Sequence, residues 1–313
     1  MNKRWVKRLF NYGIIVVLFI LIIVFSVFSN NFLKISTIFT ILRQVAITGI
    51  ISIGMSFVII TGGIDLSVGS IAGVSSVIAA MLMLEGISVF TSIIITLLIS
   101  LLYGLFNGFL ITVFKMQPLI ATLGTQTSLR GLAFIVTGGL PVFGFSDKFG
   151  EFANGSLGVV PYPVILMIVI FILAFFILKK SIFGRYVYGV GGNAEATRLS
   201  GISVTKIKLV TYTLSSFLAG VAGLVLLSRT NSGQPSAGVG YEMDAITAVV
   251  LGGISLNGGI GSLPLVMIGV LIMGVLSTGM LMVNINDYVQ QLIKGLVLIA
   301  AVAFSNISQN VDS

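Results

Sequence analysis

Long apolar runs separated by short polar breaks dominate the chain. After a basic head of Lys3, Arg4, Lys7 and Arg8, no charge occurs from Leu9 to Leu33. Further apolar stretches cover Gln44–Thr61, Leu66–Leu84, Val89–Phe114, Pro118–Gly138 and Pro161–Leu178. Past a polar segment at 179–208 come Leu209–Ser228, Met243–Leu256, Ser262–Val283 and Tyr288–Phe304. The hydrocarbon core of a bilayer takes about 20 apolar residues per helix. A helix also satisfies its own backbone polar groups, which lipid cannot do. The pattern predicts an all-α, polytopic integral membrane protein of about ten transmembrane helices, several interrupted by glycine pairs. A basic head before an apolar run is also how a signal peptide begins. Here the charge-free run exceeds the usual ~7–15 residues and no A-x-A cleavage pattern follows, so it is expected to remain as the first helix.

Composition agrees. Of 313 residues, 57% are hydrophobic and 8% charged, where a soluble domain carries about 25% charged residues. So few charges cannot cover a water-facing surface. Cysteine and histidine are absent, which excludes a disulfide framework, a Cys/His zinc site, a thiol nucleophile, histidine-ligated haem and a Ser-His-Asp triad. The phosphate-binding pattern G-x-x-x-x-G-K-[ST] is also missing. This chain is therefore not expected to be an ATPase or any other enzyme, or to hold a cofactor or metal of its own.

The net charge of +8 would suggest nucleic acid in a soluble protein. Its placement explains it as topology instead, and no nucleic-acid partner is expected. With a cytoplasmic N-terminus, ten crossings return the C-terminus to the same side. Lys3, Arg4, Lys7, Arg8, Lys115, Lys179, Lys180, Arg185, Arg198, Lys206 and Lys208 then lie inside. Lys34, Arg43, Lys148 and Arg229 lie outside, with Glu85, Asp147, Glu151, Glu242, Asp244 and Asp287. Eleven inner against four outer basic residues, of 17 in all, follows the positive-inside rule. Neither the inner segment 179–208 nor the outer segment 139–160 is long enough for a separate domain, so residues 1–313 are expected to form one membrane domain.

Two segments echo each other 190 residues apart. Gly62-Gly63-Ile64-Asp65-Leu66 and Gly252-Gly253-Ile254-Ser255-Leu256 share GGI-x-L, with Gly69 and Gly259 in register. Transporters often carry internal repeats with helices broken at glycine-rich points. Glycine pairs also permit close helix packing in lipid, and both readings stand. Matching orientations suggest a parallel repeat, whereas a five-plus-five division suggests an inverted one.

Three motifs carry a family resemblance: Gly54–Ser70, which contains TGGIDLSVGS; Gly189–Ile202, GVGGNAEATRLSGI; and Ala248–Gly259, AVVLGGISLNGG. Together they make the chain similar, over nearly its whole length, to the membrane permease subunits of bacterial ribose-type ABC importers. That resemblance implies a multi-pass protein of the bacterial cell membrane. It also implies a separate ATPase subunit that binds ATP and Mg, an extracytoplasmic sugar-binding protein meeting loops 30–43, 139–160 and 229–242, and a second permease copy. The cargo it implies is a monosaccharide, with ribose the first expectation and other pentoses, hexoses, nucleosides and autoinducer-type sugars as relatives. Within 179–208, Asn193 suits a helix N-cap, Glu195 the first turn, and Gly201 the stop. Glu195 and Arg198 share a face, with Ala196 between them, and Leu199 can enter an apolar groove. By itself this is an ordinary solvated helix; the resemblance makes it the ATPase-coupling segment.

Asp65 is the most conspicuous single residue, because a carboxylate between apolar segments is expensive and marks a functional site by default. It can line a pathway, cap the helix that follows with Ser67, or hold a salt bridge. Arg130 can pair within the bundle or bind a hydroxylated substrate, and Lys294 can snorkel to an interface. Asn107, Gln117, Thr122, Thr125 and Asn257 are neutral groups able to line a polar passage or to bond helix to helix. An ion-coupled transporter or channel is the competing class. It would place more ionisable groups in its spans. An intramembrane enzyme would need a nucleophile–base pair or metal cluster, and neither is recognisable.

Overall fold

The computed structural model describes residues 3–145 and 147–312. The chain forms α1 (Lys3–Phe28), α2 (Ile35–Ile60), α3 (Val68–Leu84), α4 (Val89–Thr112) and α5 (Pro118–Thr137). A short α6 (Asp147–Asn154) and a hairpin of β1 (Ser156–Leu157) with β2 (Val160–Pro161) follow. Then come α7 (Tyr162–Lys180), α8 (Ile182–Gly192), α9 (Ala194–Leu199), α10 (Val204–Thr230), α11 (Tyr241–Leu251), α12 (Leu263–Met282) and α13 (Asp287–Asp312).

Among the described residues, seven helices are long and apolar enough to cross a membrane: α2, α4, α5, α7, α10, α12 and residues 287–306 of α13. Gly13–Phe28 of α1 and Val68–Leu84, which is α3, are shorter apolar helices. The protein is thus all-α and polytopic, its small hairpin aside. The expected span Met243–Leu256 is different. Helix α11 has 11 residues, about 16 Å at 1.5 Å per residue, roughly half the ~30 Å hydrocarbon thickness. Pro235, Gly238 (φ +75°) and Gly240 (φ +83°) precede it, and this stretch folds back into the bundle. Arg130 of α5 donates to Pro235 O at 3.1 Å and Ala237 O at 2.6 Å. The end of segment 229–242, expected as an outer loop, is therefore inserted between α3 and α5, and Glu242 is buried.

Helix α2 is the axis of the bundle, buried from Val45 to Ile60. Its small residues let neighbours approach backbone to backbone: a Cβ on Gly54 would stand 3.0 Å from Ser215 Cα of α10. Helix α10 is the second central element. It receives α4 at Gly104 and Gly108, where a Cβ would press on the backbone of Thr213 and Leu209. A Ser75–Ser100 hydroxyl pair at 2.9 Å joins α3 to α4 beside it. Helices α4, α5, α7 and the described part of α13 are largely exposed, presenting Leu102, Ile135, Leu173 and Ile299. In a membrane protein that is the lipid-facing shell.

Two boundaries moved. Helix α2 starts at Ile35, ahead of the expected Gln44. Its Arg43 does not interrupt it, because the guanidinium finds Asn154 O at 2.9 Å. Helix α10 starts at Val204 rather than Leu209, capped by Ser203, whose hydroxyl accepts from Lys206 N at 3.3 Å.

Candidate functional site: a glycine junction behind an exposed helix

The two GGI-x-L breaks end their helices in the same way. After α2, Gly62 N donates to Ile59 O and Gly63 N to Val58 O, at 2.9 and 3.1 Å. After α11, Gly253 N donates to Val250 O and Ile254 N to Val249 O, at 2.9 and 3.2 Å. Each is a left-handed glycine stop, with φ +76° at Gly62 and +78° at Gly253. The equivalent glycines are therefore 191 apart, one residue out of the sequence register. Register returns at the next turn: Asp65 Oδ1 accepts from Ser67 N at 3.1 Å, and Ser255 Oγ from Asn257 N at 3.2 Å.

These breaks meet each other and the third motif. Gly259 N donates to Ile60 O at 2.8 Å, tying the end of α2 to the loop after α11. Gly191 of α8 lies against both; a Cβ there would overlap Ile60 O and Gly259 N. A Cβ on Gly258 would stand 2.8 Å from Gly62 N and 3.0 Å from Gly191 O. One on Gly259 would stand 2.7 Å from Gly192 Cα. Three backbones cross here at distances that side chains forbid, which is the physical reason all three motifs are glycine-rich.

Immediately beyond the junction stands α9. Asn193 caps it, its Oδ1 accepting from Ala196 N at 2.8 Å, and Gly201 (φ +83°) stops it. Arg198 clamps Glu195 bidentately, Nη2 to Oε1 at 2.6 Å and Nε to Oε2 at 3.0 Å. The bonds from Arg198 hold the Glu195 carboxyl below its ordinary range and raise the guanidinium. Asn193, Glu195, Ala196, Arg198 and Leu199 are all exposed, Leu199 at 73%.

A polar network secures the first break. Asp65 is fully buried. Its Oδ1 also accepts from the Ser67 hydroxyl, and its Oδ2 from Ser215 Oγ of α10 at 2.9 Å. Asn107 of α4 donates to Ser67 Oγ at 2.9 Å and accepts from Thr125 Oγ1 of α5 at 2.6 Å. Thr122 Oγ1 lies 3.3 Å from Ile64 O, and the Tyr212 hydroxyl 3.4 Å from the same carbonyl. Among the described residues, the bonding partners of Asp65 are thus the Ser67 and Ser215 hydroxyls and the Ser67 N–H, not a cation.

Of the neutral polar residues singled out, the structure gathers Asn107, Thr122 and Thr125 around Ser67 and Ile64. Gln117 and Asn257 are exposed and stand apart from them. Arg130 joins a second cluster, in which Gln126 Nε2 donates to Glu242 Oε1 at 2.9 Å. Lys294 does not reach for an interface; it pairs with Asp244 Oδ2 of α11 at 2.8 Å. Sequence reasoning missed Glu242 and Asp244 by counting them as outer-loop acids. Two acids in the first turn before an apolar run were the available signal of a helix start. Among the described residues, no group of three or more carboxylates converges as a metal would require.

A bundle of apolar helices broken at glycine-rich points is an arrangement that membrane transport proteins use. Comparison with known proteins agrees. A family profile described as branched-chain amino acid transport system, permease component, matches residues 37–302, and the chain belongs to this family. It is 44% identical to the ribose import permease protein RbsC of Bacillus subtilis, over 91% of this chain and 89% of that one. It is 40% identical to the protein of the same name in Escherichia coli, over 94% and 93%. To the L-arabinose ABC transporter permease protein AraH of Azospirillum brasilense it is 38% identical, over 95% and 88%. No solved structure matches at a significant level. The chain is a multi-pass permease component of the bacterial cell membrane.

Proposed function

We propose that this chain is the membrane-spanning subunit of an ATP-driven importer whose cargo is a monosaccharide, first of all ribose. An extracytoplasmic binding protein delivers the sugar, and a separate ATPase on the cytoplasmic side binds ATP and Mg. The relatives' names support the cargo: those identical at 40–44% are ribose permeases, ahead of an arabinose permease at 38%. The distribution of basic residues supports a cytoplasmic position for α8 and α9. The ends of α1 and α12 support the same side for the N-terminus. Phe25, near the end of α1, packs on Gly279, near the end of α12, while Tyr188 of α8 donates to Gly261 O just before α12 starts.

One observation carries the mechanism: α9 follows directly on a crossing, without room for side chains, of the end of α8, the end of α2 and the loop after α11. A partner that grips Leu199 and the Glu195–Arg198 pair moves backbone against backbone, with no soft side chain to absorb the displacement. ATP and substrate can then bias the same two states, as coupling requires. Helix α5 supports a second permease copy as the neighbour across the pathway. It exposes Thr127 and Ser128, with Gly124 and Gly131 bare, among lipid-type residues. An ion-coupled carrier fits less well, because Asp65, Arg130 and Lys294 are bonded into the fold and form no relay. The test is the double exchange Glu195→Lys with Arg198→Glu. Stimulation of the ATPase is expected to disappear while the subunit stays abundant in the membrane; unchanged sugar uptake would overturn the assignment.

A further inference from the structure

A basin of about 580 Å³ opens beside α8, away from the glycine junction, lined by Phe175, Leu178, Lys179, Arg185, Tyr188 and the start of α12 at Ser262–Pro264. Lys179 and Arg185 have no carboxylate partner among the described residues. Lys179 lies over the Phe175 ring, 5.1 Å from its centroid. Tyr188 is held in place by its bond to Gly261 O at 3.0 Å. Lys179 sits in the last turn of α7, at the depth where a membrane helix meets the headgroups.

The basin does not end there. At Pro264 it meets a second hollow of about 520 Å³, lined by Leu42, Val45, Met167, Ile168, Phe171, Ile172, Met267 and Leu271 without one polar side chain. Helices α7 and α12 both pack on α2 but scarcely touch each other, so a groove runs between them with α2 as its floor. From Phe175 to Met167 it follows about 12 Å of helix at 1.5 Å per residue. Two unpaired cations at the membrane edge, opening onto an apolar groove that runs toward the bilayer centre, have the charge and shape order of a phospholipid.

We propose that this site holds an anionic phospholipid of the leaflet on the α8 side. Its phosphate is taken by Lys179 and Arg185, its glycerol region lies near Ser262, and one acyl chain fills the α7–α12 groove. Basic pockets between membrane helices on the cytoplasmic side recognise anionic headgroups in this way. The groove alone would accept any lipid; the cations make the site selective. The site also touches the loop that carries Gly258 and Gly259, so a bound lipid buttresses the junction from its lipid side.

The test uses the full-length protein, delipidated in detergent and titrated with phosphatidylglycerol or phosphatidylcholine of the same chains, with retained lipid counted by native mass spectrometry. Phosphatidylglycerol is expected to be retained more tightly by roughly thirtyfold, the scale of two interfacial cations. Lys179→Ala with Arg185→Ala should equalise the two lipids. Ile172→Trp, a lipid-exposed position that narrows the groove, should lower retention of both. Free glycerol 3-phosphate should not displace the lipid, and retention should persist when the ATPase subunit is bound. Equal retention of the two lipids by the unaltered protein, or a preference that survives the double alanine change, would overturn the proposal. So would displacement by glycerol 3-phosphate, or loss of lipid when the ATPase binds, which would assign the cations to that partner.

Discussion

The two helix breaks start from nearly the same five residues and are stabilised in opposite ways. At the first, Asp65 draws donors from the start of α3 and from α10, and through Ser67 and Asn107 the network reaches α4 and α5. At the second, the Ser255 hydroxyl accepts from Asn257 N, its backbone N donates to Ile260 O at 3.0 Å, and Gly259 N of the same loop donates to Ile60 O of α2. The first break is tied by side chains to α3, α4, α5 and α10, and the loop of the second by backbone groups to the end of α2 and to Tyr188 of α8.

The difference is measurable as stability. Asp65→Ala leaves the Ser67 and Ser215 hydroxyls and a buried N–H without their acceptor. Each such hydrogen bond contributes about 1 kcal/mol between neutral groups and more to a charged one, so losing three is expected to cost about 3 kcal/mol or more in thermal unfolding of the detergent-solubilised protein. Asp65→Asn keeps one acceptor and should fall between this and the unaltered protein. Ser255→Ala removes a neutral hydroxyl and should cost less, about 0.5–1.5 kcal/mol for each hydrogen bond it gives up. If the two alanine changes proved equally costly, the contrast between the breaks would fail. The smallest effect belongs to the Glu195–Arg198 exchange: the pair is solvent-exposed, and the unfolding midpoint should not move even though coupling is lost.

Much of this was legible beforehand because lipid imposes a simple rule on sequence. The apolar runs marked the spans, and Asn193, Glu195, Arg198 and Gly201 described α9 almost to its caps, since capping is local chemistry. The sequence echo was visible too, but not its meeting with Gly191, because convergence of segments far apart in the chain is a tertiary fact. The half-length α11 was misjudged for a related reason. Met243–Leu256 is as apolar as a short span, and only the bonds from Arg130 to Pro235 and Ala237 reveal that the chain turned inward before it. Lys294 could not be placed without knowing that Asp244 lies on an inserted helix rather than in a loop.

The central claim is that α9 acts on the broken helices through a junction with no room for side chains, and two adjacent glycines test it most directly. A Cβ on Gly191 would overlap Ile60 O and Gly259 N, whereas a Cβ on Gly192 would meet nothing within 4 Å. The measurement is sugar-stimulated ATP hydrolysis by the permease reconstituted in nanodiscs with its ATPase and binding protein, comparing Gly191→Ala with Gly192→Ala. Gly192→Ala should keep the stimulation and Gly191→Ala should lose it. A folded Gly191→Ala permease with full stimulation, or the same loss in both variants, would contradict the account.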